Sequence, residues 1–174
     1  EWAEKWQDMK AYSPVARHTR RLIRNLLDGL EYHSLVDIGC GNGALLRELD
    51  LESCPIDICG IDFSEVAVAL ADRQIQGRFF HMNIQKESLS ETFDVGICSE
   101  VLEHLEDDLV ALKNIWQMCR HVIITVPSGP LTSSAKLMGH VRHYTKEDLS
   151  HKLFVAGFRI CNLRAWGTPF HDPI

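Results

Sequence analysis

The sequence predicts an α/β fold: a doubly wound, mostly parallel Rossmann-like sheet with helices on both faces, in a single domain. Three observations carry the prediction. Short apolar runs, of the kind found in strands covered on both faces, alternate along the chain with apolar stripes at helical spacing. The stretch 35–46, LVDIGCGNGALL, joins one such strand to a helix through Gly39, Gly41 and Gly43, right after an acidic residue. A length of 174 residues suits one domain, enough to bury about 70% of the surface the unfolded chain exposes.

The elements follow in order. A helix is predicted over 13–30, with Ser13 as N-cap, Pro14 at the first helical position, Gly29 near its end, and Leu22, Ile23, Leu26, Leu27 and Leu30 at helical spacing. Leu35, Val36 and Ile38 make the first strand, and Ala44, Leu45, Leu46 and Leu49 a helix from 43 to about 50. Pro55 introduces a second strand through Ile56, Ile58 and Ile61 that ends at Asp62, and Ser64 caps a helix carrying Val66, Ala67, Ala69 and Leu70. A third strand covers 79–82 and a fourth 93–98, after which Leu105, Leu109, Leu112, Ile115 and Trp116 give the next helix one apolar face. HVIITV, 121–126, is a fifth strand stopped by Pro127. The stretch 127–144 is a long connection rich in Gly, Pro and Ser, a length at which connections are often lids or binding loops. TKED from Thr145 opens a helix that runs to Ala156, and 158–166 reads as a sixth strand.

A net charge of -6 argues against a general nucleic-acid or anionic-membrane binder, and Arg17, Arg20, Arg21 and Arg24 read as a solvated helix face. No apolar run approaches the ~20 residues of a membrane span, and no charged-then-apolar leader is visible. The six cysteines (Cys40, Cys54, Cys59, Cys98, Cys119 and Cys161) are dispersed without a CxxC pair, which fits reduced thiols and a cytoplasmic protein better than a disulfide framework or a zinc site. The chain opens on Glu1 rather than Met, so a trimmed start is expected.

In a doubly wound sheet, ligands bind beyond the carboxyl ends of the strands, where the strand order reverses. Glycines without a Cβ let a ligand lie against the turn, and the helix behind it points unpaired N–H groups and a positive dipole end at that ligand. Asp37 adds a fixed acceptor, and Asp62, some twenty residues on, can take both hydroxyls of a ribose while Phe63 covers an adenine face. The third strand ends near Met82 and Asn83, and the fourth at Cys98, Ser99 and Glu100. Together these describe an adenosine-containing cofactor. The glycine run also fits the dinucleotide fingerprint GxGxxA through Gly39, Gly41 and Ala44, which leaves an NAD-dependent oxidoreductase open; against it, YxxxK and a substrate domain are missing.

With these residues in view, the chain resembles class I S-adenosylmethionine-dependent methyltransferases over nearly its whole length. VDIGCGNG is similar to the first motif of that family and GIDFS to its ribose-binding second motif. FDVGICSEVLEHLED resembles the fourth-strand motif of the branch that includes ubiquinone-biosynthesis O-methyltransferases, and GHVRHYTKEDLSHKLFVAGF a segment of its bacterial members. The resemblance implies S-adenosyl-L-methionine as cofactor and S-adenosyl-L-homocysteine as product. It implies Asp37, Gly39, Cys40 and Gly41 around the methionine part, Asp62 on the ribose, and Phe63 and Ile84 on the two faces of the adenine. Asn83 stands where many relatives carry aspartate, and its carbonyl takes over as acceptor for the adenine amino group; Cys98 closes the cofactor set. The chain then divides into an N-terminal lid and helix (1–33), a cofactor-binding core (34–126), and a substrate-side loop, last helix and strand (127–174). The family usually adds a seventh, antiparallel strand, yet little follows Trp166, so an incomplete chain is expected.

The sulfonium methyl is already activated, so the protein mainly aligns an acceptor and excludes water. For a small-molecule hydroxyl, favoured here by resemblance, a general base helps, and Glu100 and His104 are the catalytic candidates because they lie just beyond the fourth strand; His has the better intrinsic pKa. Local helix-start roles for Glu103 and His104 remain open. Small-RNA terminal 2'-O-methyltransferases carry a similar ExxEH run that binds a divalent ion with further histidines. Glu100, Glu103 and His104 match its beginning and Leu105 breaks it, so neither a metal nor a nucleic-acid partner is assigned. His140, Arg142 and Tyr144 are the substrate-side candidates, with His143 beside them, and Trp2, Trp6 and Tyr12 form a lid or an N-terminal anchor. A cofactor-binding subunit without turnover, and the oligomeric state, are left open by the sequence.

Overall fold

The computed structural model describes residues 13–49 and 56–166. Five strands form one parallel sheet in the order β3-β2-β1-β4-β5. They are β1 (Ser34–Ile38), β2 (Asp57–Asp62), β3 (Arg78–His81), β4 (Phe93–Ser99) and β5 (Cys119–Thr125). The order reverses between β1 and β4, so the crevice at their carboxyl ends is the topological switch point.

The apolar runs sort by parity onto two faces. Leu35, Val95, Ile97 and Ile123 pack with Ile23 and Leu27 of α1 (Pro14–Leu27) and with Leu46 of α2 (Ala44–Glu48). Val36, Ile38, Ile61 and Cys98 pack on the other face with α4 (Asp108–Met118) and α6 (Lys146–Ala156). The remaining helices are α3 (Glu65–Gln74) and the short α5 (Ser133–Leu137). Side-chain caps set four of the helix starts, Asp107 Oδ1 accepting the Val110 amide at the start of α4 and three hydroxyls serving the others. The hydroxyl of Ser64 accepts from the amide of Ala67, that of Thr132 from Ala135, and that of Thr145 from Asp148. No helix among the described residues is long and apolar enough to cross a membrane.

Several expectations are corrected. The first helix ends at Leu27 rather than 30, and Ser13 makes no side-chain cap bond. Helix α4 begins at Asp108 with Asp107 as its cap, and the residues before it form a separate 3-10 turn, Leu102–His104. The connection after β5 contains α5. The predicted sixth strand is not formed: 159–166 lie exposed without regular structure. Gly157, at φ 100°, ends α6 in the left-handed region, and the Phe158 amide turns back to Leu153 O at 2.9 Å. That closure takes the first residue of the would-be strand, and the sheet has no described partner beyond β5. Trp2, Trp6, Tyr12, Cys54 and Pro55 lie outside the described residues.

Candidate active site

At the end of β1 the chain turns through Gly39 at φ 77° and Gly41 at φ 54°, values that L side chains rarely adopt. The two glycines serve different ends. A Cβ on Gly39 would lie 2.4 Å from Cγ2 of Val101, so the turn and the segment after β4 approach closely there. A Cβ on Gly41 would meet nothing within 4 Å. The backbone at Gly41 therefore faces open space at the mouth of the switch point.

The neighbouring strand end braces this turn. Asp62 Oδ2 accepts the Gly41 amide at 2.8 Å, and Oδ1 accepts the Ser64 amide at 2.8 Å. The amides of Gly39 and Cys40 donate to Ile61 O at 2.8 and 3.1 Å. Asp37 lies behind them, 2% exposed. Its buried Oδ2 has no hydrogen-bond partner among the described residues. Burial, with the charge of Asp62 adding to it, pushes the Asp37 carboxyl up to about 7. An orphaned buried carboxylate beside an open glycine backbone suits a ligand that brings a cation and hydrogen-bond donors, which is the character of S-adenosylmethionine. The residues fit that group.

The other cofactor candidates fall in different places. Phe63 is 77% exposed, an aromatic face open to stack, whereas Ile84 is buried at 6%. Asn83 Oδ1 accepts the Gln85 amide at 2.9 Å, so the oxygen assigned to an adenine amino group is already engaged locally. Cys40 is buried at the turn, also at 6%. Cys98 is corrected: its side chain lies wholly in the core on the α4 face, where burial drives its thiol pKa well up, and it does not line the crevice.

Beyond β4, Glu100 is the one non-glycine among the described residues with positive φ, at 56°. Its Oε1 accepts from the Thr125 hydroxyl at 3.1 Å, and its amide donates to Thr125 O at 3.0 Å. His104 Nδ1 lies 3.2 Å from Gly139 O. A carbonyl only accepts, so Nδ1 carries a proton there. The His104 Nε2 is 3.9 Å from Oε1 of the fully buried Glu103. The His140 ring meets His104 edge-on at a centroid distance of 4.8 Å, and His140 Nδ1 lies 3.0 Å from His143 Nε2. One ligand atom each from Glu103, His104 and His140 lies within 4.8 Å of the others, a set able to share a proton or to hold a divalent cation.

Two substrate-side expectations are corrected. Tyr144 is 2% exposed, the one proton of its hydroxyl shared between Asp108 Oδ2 at 2.7 Å and Leu102 O at 3.1 Å. Arg142 spends its guanidinium on Leu105 O and Glu106 O, with Asp108 3.2 Å away. Both are engaged by this chain's own backbone and by Asp108. Asp108 and Lys152 escaped the sequence reading. Asp107 and Asp108 look alike before a helix, and only the fold brings Lys152 to the second of them.

A family model for a methyltransferase domain matches residues 9–163. The chain belongs to this methyltransferase family. Within it, the chain is 27% identical over 128 residues to a ubiquinone biosynthesis O-methyltransferase from Pseudomonas putida, covering 68% of this chain and 54% of that protein. The chain thus spans about half the length of the curated relatives it matches. Among solved structures, the N-methyltransferase NodS from Bradyrhizobium japonicum, in complex with S-adenosyl-L-homocysteine, superposes at a TM-score of 0.66 with 23% identity, over 83% of this chain and 76% of that one. The small RNA methyltransferase HEN1 gives 0.67 at 19% identity, over 84% and 22%. Relatives with nitrogen, oxygen and RNA in their names share the fold, so the methyltransferase fold by itself does not choose the acceptor.

Proposed function

We propose that this chain is an S-adenosylmethionine-dependent methyltransferase domain acting on a small-molecule hydroxyl. The observation that carries the reading is the pairing of the open Gly41 backbone, braced by Asp62, with a histidine whose Nδ1–H is anchored on Gly139 O, which makes Nε2 the nitrogen for proton transfer. Residues 34–126 would hold the cofactor, with Asp62 on the ribose, Phe63 on the adenine and Asp37 on the methionine part. When bound, the cofactor supplies an electrophilic methyl. The residues of this chain position the acceptor and take its proton. His104 Nε2 accepts the hydroxyl proton, and the buried Glu103 carboxylate 3.9 Å away stabilises the imidazolium that results. Glu100, held by Thr125, lines the same rim.

The test is transfer of labelled methyl from S-adenosylmethionine to a panel of phenols and catechols, with His104→Asn beside the native chain. Loss of about 10²-fold or more in kcat, with cofactor affinity retained, is the expected result for a general base. Equal rates in the two proteins would remove His104 from the chemistry.

The close grouping of Glu103, His104 and His140 favours a second reading, in which a divalent cation rather than the imidazole polarises the acceptor oxygen. Transfer abolished by EDTA and restored by added Mg²⁺, Mn²⁺ or Zn²⁺ would select it; transfer indifferent to chelation selects the base.

A further inference from the structure

His104 and His140 belong to a single 3-10 turn and to a loop, separated by 36 positions in the sequence. Neither segment has a ladder or a long helix to hold a side chain in register, whereas chemistry on an acceptor needs its groups fixed to about 0.5 Å. What joins the two segments is unusually complete. Of the carbonyls flanking His104, Leu102 O accepts the Tyr144 hydroxyl at 3.1 Å and Glu103 O accepts the Val141 amide at 2.8 Å. Leu105 O and Glu106 O accept the two arms of Arg142, at 2.5 and 2.9 Å. The turn is thus held on both sides of the imidazole by residues 141–144, next to His140.

Behind this zipper lies a single buried carboxylate. Asp108, 4% exposed, accepts from Tyr144 at 2.7 Å and from Lys152 Nζ at 2.6 and 2.9 Å, with Arg142 at 3.2 Å. One negative charge on α4 therefore neutralises two cations, one from the loop and one from α6, and orients the phenol that holds Leu102. Removing the charge leaves Arg142 and Lys152 facing each other, and removing the phenol releases the turn at its first carbonyl.

We propose that Asp108, acting through Tyr144 and Arg142, is the positioning residue that holds His140 against His104 and fixes the His104 tautomer. The inference rests on the reading of the histidine site as the place of acceptor activation, and it turns two side chains expected to touch substrate into the frame of that site.

The variants are Tyr144→Phe, which keeps the ring in the core, and Arg142→Lys, which cannot reach both Leu105 O and Glu106 O. The readout is the ¹⁵N and ¹H NMR signature of the His104 imidazole in metal-free protein at one pH, together with S-adenosylhomocysteine affinity by calorimetry. The native chain should show a single Nδ1–H tautomer. Both variants should show mixed or exchange-broadened His104 tautomers while binding S-adenosylhomocysteine within about twofold of native, since the cofactor crevice is built by other elements. Folded variants with the native His104 signature would overturn the proposal, as would loss of cofactor binding in parallel with any change at His104. Neither readout requires methyl transfer, so a failed role for His104 as base leaves this test standing, and the reverse.

Discussion

Asp62 Oδ2 accepts the backbone amide of Gly41 at 2.8 Å, so the acidic end of β2 and the glycine turn at the end of β1 form one unit. A side chain proposed to hold the ribose also sets the backbone proposed to face the cofactor. Asp62→Ala should therefore cost more than one hydrogen bond to the ligand. A lost charge-assisted bond is worth about 1.5–3 kcal/mol, so S-adenosylmethionine affinity should fall by roughly 10- to 100-fold or more, measured by calorimetry, with a smaller loss of stability in urea.

Gly39 and Gly41 make a matched pair of controls. Gly39→Ala places a Cβ 2.4 Å from Val101 Cγ2 at a left-handed φ, so the expected result is a large drop in the urea midpoint. Gly41→Ala meets no protein atom within 4 Å. It should lose only the roughly 1–2 kcal/mol of a non-glycine at positive φ, yet weaken S-adenosylhomocysteine binding strongly, because the added methyl takes the space of the ligand.

Asp37 predicts an unusual slope of stability with pH. Its carboxyl is raised in the folded chain from 3.8 to about 7, so the folded state holds the proton more tightly than the unfolded one. The sign follows: its contribution is most favourable below 3.8, declines as pH rises between 3.8 and about 7, and is flat above that. The full penalty is on the order of 4 kcal/mol as an upper bound. Asp37→Asn should remove that slope and raise the melting temperature of the ligand-free protein at pH 8 while weakening S-adenosylmethionine binding. Thermal melts across the pH range check the first part and calorimetry the second.

Glu100 holds a backbone conformation that favours glycine, at φ 56°. Glu100→Gly should stabilise the fold by a few tenths to about 1 kcal/mol by relieving strain, measured as a higher urea midpoint. If the carboxylate at the rim contributes to transfer, the same variant lowers kcat, so stability and activity move in opposite directions.

The parts of this molecule legible in the sequence are those governed by local periodicity and caps. Leu35, Val36 and Ile38 read as a doubly covered strand and are one. Thr145 and Ser64 read as caps and accept the expected amides. The switch point was legible because the strands that form it end in fixed order, next to Gly39, Asp62 and Glu100. What escaped was decided by contacts across the chain. Tyr144 and Arg142 look like ligand donors in a loop until Asp108 and the carbonyls of 102–106 are brought to them. Cys98 ends a strand as a ligand residue would, but its parity points it into the α4 face. The stretch 158–166 has apolar content enough for a strand, and no described strand beyond β5 to pair with.

The most direct test of the central claim is a thermal melt of the native chain and of Asp62→Ala with S-adenosylmethionine, S-adenosylhomocysteine and NAD, each in large excess. Ligand at 100 times its dissociation constant contributes about 2.7 kcal/mol, which at this size raises the melting temperature by roughly 5 to 10 °C. The account predicts that rise in the native chain with both adenosyl ligands, none with NAD, and little with any ligand in Asp62→Ala. A rise with NAD alone, or adenosyl ligands stabilising both proteins equally, would contradict it.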